Sequence, residues 1–345
     1  MRSLLSILLM TSLAAPATGG EPVALRAESF TVPPSTGPVT HVAVRNLLKT
    51  PYQGAVRLRL PKGWKTNPAE RAVKLKPGET KRVPFAVEGG RDKAANTYPV
   101  DAVAVGGGKT VVHKQVVVCA SAPYGKPKID GKLGDWDDAI PVTFTARGRK
   151  TVVRTLWNKR QFCLAVEVEE VKHVTWRAKG AGKFDAVQFA IAPAAARTGT
   201  KETDVSTRCE FLLAGMSGLF ARDKVFALAK PGMPLAVTQE PRPLAALVAK
   251  NARVVVKRRG GTTVYECAVE ASELPSIRMT VGREIRFSFL VHDPDDTGLR
   301  DWGQAAGLWP SQRNPLAWSQ WEGMQWGKEA PFDSKTEWGL CSSKY

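Results

Sequence analysis

The chain is poor in the groups that most often carry catalysis. It has four histidines in 345 residues, which leaves little for histidine-rich metal sites. No C-x-x-C or H-E-x-x-H pattern occurs, so zinc sites of the usual spacing are excluded. No G-x-S-x-G elbow occurs either, because Gly215-Met216-Ser217-Gly218 has the wrong spacing. Gly108-Lys109-Thr110 lacks the glycine that should stand five residues earlier, where the chain has Val103; it reads as a hairpin turn, not a phosphate loop. Beyond the first 20 residues there is no run of 18 apolar residues, so no membrane-spanning helix is expected. Apart from a weak stretch at Pro243 to Ala252, no helical period is visible. No collagen-like or solenoid repeat appears.

What is present is apolar material for a core (43% hydrophobic), a net charge of +18 and ten tryptophans. Met1 to Gly20 reads as a secretory signal. Arg2 supplies the positive start, Leu4 to Leu13 the apolar stretch, and Ala15-Pro16-Ala17 a cleavage pattern, with the cut after Ala17. The expectation is an exported protein: periplasmic, cell-surface or secreted. Export permits disulfides, and the odd count of five cysteines leaves at least one unpaired within the chain. One disulfide among Cys163, Cys209 and Cys267 is expected, with buried structural thiols as the alternative.

Residues 21–120 alternate in short runs divided by turn chemistry. Val56, Leu58 and Leu60 form one face against Arg57 and Arg59; Val83, Phe85 and Val87 form another. Tyr98 to Val105 and Val111 to Val118 continue the theme, with turns at Pro77-Gly78 and Gly106-Gly107-Gly108. Period-2 alternation means half-buried strands, and about seven of them predict an Ig-like sandwich. Ser121 to Lys128, with two prolines and a glycine, reads as a linker, and a second domain then covers 129–345. Phe162, Leu164, Val166 and Val168 alternate with Cys163, Ala165 and Glu167. Ile285, Phe287 and Phe289 alternate with Arg286 and Ser288. These are sandwich strands with one face inward.

Two family resemblances sharpen this. Val44-Arg45-Asn46, Leu60-Pro61-Lys62-Gly63-Trp64 and Leu75-Lys76-Pro77-Gly78-Glu79-Thr80 resemble the Ig-like domain associated with alpha-galactosidases, a non-catalytic spacer or accessory module. The run Ile129-Asp130-Gly131-Lys132-Leu133-Gly134-Asp135-Trp136-Asp137-Asp138-Ala139 resembles the opening of carbohydrate-binding module family 9-like sandwiches. Leu156-Trp157-Asn158, the strand from Phe162 to Glu169, Phe184 to Ile191, Tyr265 to Val269 before Glu273-Leu274, and Phe287 to Asp296 follow the family's order across roughly 129–330. The resemblance implies an all-β protein: an Ig-like β-sandwich followed by a larger antiparallel sandwich, a jelly roll of the DOMON-like kind.

Six of the ten tryptophans follow residue 300, among Gly, Pro, Ser, Gln and Asn. Sugar rings stack their C–H faces on indole, and their hydroxyls need planar polar partners. Trp302, Trp309, Trp318 and Trp321 with Gln312, Arg313 and Asn314 offer both. The family resemblance implies a tryptophan clamp, with Trp176 or Phe184 standing in for one member near Asp185. Trp136 and Trp157 are expected to pack in the core. The acidic turn Asp293-Pro294-Asp295-Asp296-Thr297-Gly298 partly matches a calcium loop, with Asp293, Asp295 and Thr297 as candidate ligands. The twelfth position is Gln304, so it is not an EF-hand, and an Asx-type turn closing a strand is the alternative. A structural calcium would suit the family. His292 beside Asp293 is a candidate acid–base pair or a structural histidine.

Residues 21–120 carry 16 basic against 7 acidic residues. Arg57, Arg59, Arg71, Lys74, Lys76, Lys81 and Arg82 are expected outward. That density suggests a polyanion, such as an acidic or sulfated polysaccharide or the cell envelope, in addition to a neutral oligosaccharide partner. No nucleic-acid module is recognisable. The leading expectation is a non-catalytic, exported carbohydrate-binding protein. The alternatives are a structural envelope protein whose sandwich has lost sugar binding, and a haem-binding electron-transfer accessory using His173, Met216, His292 or Met324.

Overall fold

The computed structural model describes residues 20–177, 183–194, 207–218, 221–231, 244–302 and 336–344. They form two β-sandwiches. The first has β1 (Val23–Ala27), β2 (Val39–Asn46), β3 (Tyr52–Arg59), β4 (Lys65–Asn67), β5 (Arg71–Leu75), β6 (Thr80–Glu88), β7 (Tyr98–Gly106) and β8 (Lys109–Val117). Its sheets run β1-β2-β6-β4 and β5-β3-β7-β8. Val42, Val44, Val56, Leu58, Phe85 and Val100 fill the space between them. Gly107 and Gly108 both take positive φ, which is the two-residue turn whose twist suits a β7–β8 hairpin. Arg82 does not stand free on the surface: it is half-buried, donates from Nε to Glu28 at 2.7 Å and approaches Glu284 at 3.7 Å.

The second sandwich has β9 (Ser121–Ala122), β10 (Val142–Ala146), β11 (Arg149–Trp157), β12 (Gln161–Glu169), β13 (Ala186–Pro193), β14 (Cys209–Ala214), β15 (Lys224–Ala229), β16 (Ala252–Arg259), β17 (Thr262–Glu270), β18 (Arg283–Asp293), β19 (Gly298–Asp301) and β20 (Glu337–Leu340). One sheet runs β10-β11-β12-β17-β16. The other runs β15-β14-β13-β18-β20-β9, with β19 also on β18. Phe162, Leu164, Val166 and Val168 meet Phe189, Phe211, Phe287 and Phe289 across the core. Within the weak helical stretch, Leu244–Leu247 form a single 3-10 turn.

The opposite face of β12 is buried too. Cys163 and Ala165 lie under Trp136, Ala139 and Leu156. The Ile129–Ala139 run folds over the outside of this sheet, where Trp136 is buried. Glu266 on β17 receives Trp136 Nε1 at 3.1 Å, Asp130 N at 2.9 Å and Gly131 N at 2.5 Å. Gly131 has φ +79°, a conformation open to glycine.

All five cysteines are buried free thiols, which corrects the expected disulfide. Cys163 and Cys267 lie on adjacent strands but belong to clusters on opposite faces of one sheet, and Cys209 is in the other sheet.

The segment expected as a linker is built into the fold. Ser121 and Ala122 form the edge strand β9, parallel to β20, and Gly125 N donates to Trp157 O at 2.8 Å. Pro123 and Pro127 follow β9, and Pro123 O accepts from Trp157 N at 3.0 Å. Asn96 ties the joint: its Nδ2 donates to Cys119 O at 2.9 Å and Pro141 O at 2.8 Å, and its Oδ1 accepts from Cys119 N. Arg26 pairs with Glu337, and Thr31 Oγ1 donates to Glu284 at 3.2 Å.

Candidate functional site

Two polar constellations lie on the second sandwich. The first closes one end of its core. Ala186 pairs with His292, so the next residues outward, Asp185 and Asp293, end the β13–β18 ladder side by side. Asp293 Oδ2 is saturated: it accepts from Thr297 N at 3.3 Å, Thr297 Oγ1 at 2.7 Å and Arg300 Nη2 at 2.5 Å. The Asp293 side chain thus closes the acidic turn onto Thr297, four residues on. The Thr297 hydroxyl also accepts from Arg300 Nε at 2.6 Å, so this expected ligand is spent on holding Asp293.

From the opposite sheet come Glu170 and His173, just after β12. His173 Nδ1 lies 3.1 Å from Glu170 Oε1 and 3.6 Å from Asp185 Oδ2. Glu170 Oε1 also accepts from Thr263 Oγ1 and from Arg258 Nη1. Asp185 Oδ2 accepts from Val174 N. Carboxylate oxygens of Asp185, Asp293 and Asp295 lie within 4.8 Å of one another, and so do donor atoms of Glu170, His173 and Asp185. Burial, then repulsion from Glu170 and Asp293, raises the Asp185 pKa to about 7. Sequence reasoning missed Asp185, Glu170 and His173 as members of this site. The available signal was an aspartate heading the run Ala186 to Ile191, apolar but for Gln188.

The second constellation is a polar row on the outer face of β13, β14 and β18. His292 Nε2 lies 2.8 Å from Gln188 Oε1, Gln188 Nε2 donates to Glu210, and Arg208 pairs with Glu210 at 3.2 Å. Burial lowers the His292 pKa to about 3, so the ring is neutral and Nε2 donates. This histidine works as a structural donor, and its partnered nitrogen is not offered to a metal.

The predicted aromatic contacts fall in two groups. Trp302 is buried, stacked on Phe289 at 5.6 Å and edge-on to Trp338 at 5.9 Å. Trp176 and Phe184 are buried in a cluster with Phe226, Leu212 and Leu228 at one end of the seven-stranded sheet. These three rings pack against protein. Trp309, Gln312, Arg313, Asn314, Trp318 and Trp321 lie outside the described residues, as does Met324. Trp302 O is 3.5 Å from Ser288 Oγ, and Thr336 O accepts from Phe287 N at 2.9 Å. The tryptophan-rich stretch therefore both leaves and rejoins the described chain against β18.

Comparison with known proteins bears on the first sandwich. Residues 33–106 match the family described as NPCBM-associated, NEW3 domain of alpha-galactosidase. In this NEW3-like sandwich the match takes in β2 to β7 and leaves β1 and β8 outside. Two solved carbohydrate-binding modules of family 9 from Caldicellulosiruptor kristjanssonii are similar to this chain. The complex with glucose shows 14% identity and a TM-score of 0.35, covering 51% of this chain and 78% of that one. The complex with cellotriose shows 15% identity and a TM-score of 0.36, covering 52% and 80%. No curated protein matches the sequence.

Proposed function

We propose that this chain is an exported, non-catalytic carbohydrate-binding protein whose NEW3-like sandwich is an accessory to a sugar-binding second sandwich. The observation that carries the reading is where the described chain stops and resumes on either side of the tryptophan-rich stretch. Its two ends, at Trp302 and Thr336, sit on β18. Indole faces and planar polar side chains, such as those of Gln312, Arg313 and Asn314 in the same stretch, are the two chemistries a pyranose needs. The non-catalytic reading rests on burial. Among the described residues, the adjacent carboxylates Asp185 and Asp293 are 0% exposed, out of reach of a glycosidic bond that two carboxylates must flank.

The test is a tryptophan-fluorescence titration of the full-length mature protein. The panel spans glucose, cellotriose, other neutral oligosaccharides and acidic polysaccharides. A saturable shift that Trp309→Ala or Trp318→Ala removes supports sugar binding at the tryptophan-rich stretch. A flat response across the panel from folded protein overturns it. Mass spectrometry of the protein recovered outside the cytoplasm, beginning at Thr18, tests export.

A further inference from the structure

At one end of the first sandwich the chain crosses between the sheets twice, from β2 to β3 through residues 47–51 and from β5 to β6 through residues 76–79. Asn46 holds the two crossings together. Its Nδ2 donates to Thr50 O at 2.8 Å and to Lys76 O at 3.1 Å, and its Oδ1 accepts from Leu48 N at 2.9 Å. Leu47 N is tied to Pro22 O at 3.0 Å. The first turn is thus fixed by its own hydrogen bonds, yet it presents two adjacent leucines to solvent, Leu47 at 48% and Leu48 at 37% exposed. Turn positions are ordinarily filled by Gly, Pro, Asn, Asp or Ser. One exposed apolar residue would call for no explanation, but here two stand together on a fixed tip, and neither belongs to the core of the sandwich.

Cations surround this tip. Lys49 is in the turn itself and Lys76 in the neighbouring one. Lys109 is on the β7–β8 turn at the same end, because Gly54, the third residue of β3, pairs with Gly106. All three lysines are exposed. Lys81 Nζ donates to Lys74 O at 3.0 Å beside them. Against these, Glu79 is half-buried and accepts Lys76 N at 2.7 Å, and Glu21 is exposed.

We propose that the Leu47–Leu48 tip docks the protein on an anionic lipid surface, with the leucines at the boundary of headgroups and acyl chains and the lysines among the phosphates. The inference is independent of sugar binding by the second sandwich. A lysine near such a surface contributes roughly fivefold to binding, and apolar side chains add to it with the area they bury. Lysine stems are long enough to keep the ammonium among headgroups while the leucines enter. A turn already fixed by hydrogen bonds loses little conformational freedom when it inserts.

The experiment is flotation of the full-length mature protein with vesicles of phosphatidylglycerol and phosphatidylcholine mixed one to one, and with phosphatidylcholine alone. The expected result is binding to the mixed vesicles and little to the neutral ones. Lys49→Gln with Lys76→Gln should weaken binding roughly 25-fold, and Leu47→Gln with Leu48→Gln by about tenfold or more, with the melting temperature unchanged. A Leu48→Cys variant carrying a polarity-sensitive dye gives a second readout. The five native thiols are free and buried, so the dye reports the tip, and its emission should shift to the blue with mixed vesicles only. No flotation with mixed vesicles, or no shift of the dye, would overturn the proposal. Binding that the lysine pair weakens and the leucine pair leaves intact would overturn it too, in favour of adsorption by charge alone. So would a leucine variant that loses retention on a sulfated polysaccharide as much as on vesicles.

Discussion

Trp136 and Glu266 face each other across the outer surface of the second sandwich, with indole Nε1 3.1 Å from the carboxylate. The pair explains why the Ile129–Ala139 run has its sequence. Glu266 sits on a strand face that would be solvent-exposed in an isolated sheet. Two backbone N–H groups and one indole N–H convert it into the anchor of a covering flap. Removing the carboxylate strands three donors in a buried site, at roughly 1–3 kcal/mol each. Glu266→Ala should therefore lower unfolding free energy by about 3 kcal/mol or more. Trp136→Phe, which strands one acceptor and loses some packing, should have the smaller effect. Urea denaturation of both variants checks the order.

The thiols give a second prediction. Burial pushes the Cys163 pKa up to about 12 and the Cys209 pKa to about 11, from 9.0. The folded state thus prefers the protonated thiol, while the unfolded chain ionises first. Stability contributed by each group is complete below pH 9 and is lost as pH climbs toward the folded value, at about 1.4 kcal/mol per pH unit per thiol. Cys163→Ala should flatten the alkaline fall in unfolding free energy between pH 9 and 11. Since all five thiols are free, dithiothreitol should leave the melting temperature unchanged. A thiol reagent should label them only after denaturant is added.

Much of this architecture was readable because strand faces repeat every two residues. Val56, Leu58, Phe85, Phe162 and Phe287 lie inside where alternation put them. What alternation could not show is what a distant segment does to the other face. Cys163 and Ala165 looked like outward positions and are covered by the Trp136 flap. Asp185 and Asp293 are far apart in the chain and meet only because β13 pairs with β18. Composition had the same blind spot for aromatics: Trp302 stands in a sequence rich in Gly, Pro, Ser and Gln, yet stacks on Phe289 in the core. The segment at 121–128 resembled a linker because its only strand, Ser121–Ala122, is too short for alternation to show.

The joint between the sandwiches is close enough to test with one methyl group. A Cβ built on Gly339 would lie 1.7 Å from Thr31 O, a backbone atom of the first sandwich. Neither side can yield without parting β20 from that sandwich. Gly339→Ala should destabilise the protein by roughly 2 kcal/mol or more, and limited proteolysis should begin to cut near 121–128. Gly134→Ala, where the added carbon meets nothing within 4 Å, is the matched control and should change little.

The basic surface of the NEW3-like sandwich should show itself through salt. Arg59, Lys74, Lys76 and Lys81 are exposed, whereas Arg57 is engaged with Glu70 and Arg82 with Glu28. Attraction of exposed charges to a polyanion is screened over about 10 Å at 0.1 M salt and about 3 Å at 1 M. Retention on an immobilised sulfated polysaccharide should therefore weaken steeply with salt, and a Lys74→Glu, Lys76→Glu variant should elute earlier at every pH from 6 to 8. Stacking of a neutral sugar on indole involves no net charge, so any fluorescence titration with a neutral oligosaccharide should be insensitive both to salt and to that variant. If the two binding modes respond to salt in parallel, the division of labour between the sandwiches is wrong, and a single charged site on the second sandwich must account for both.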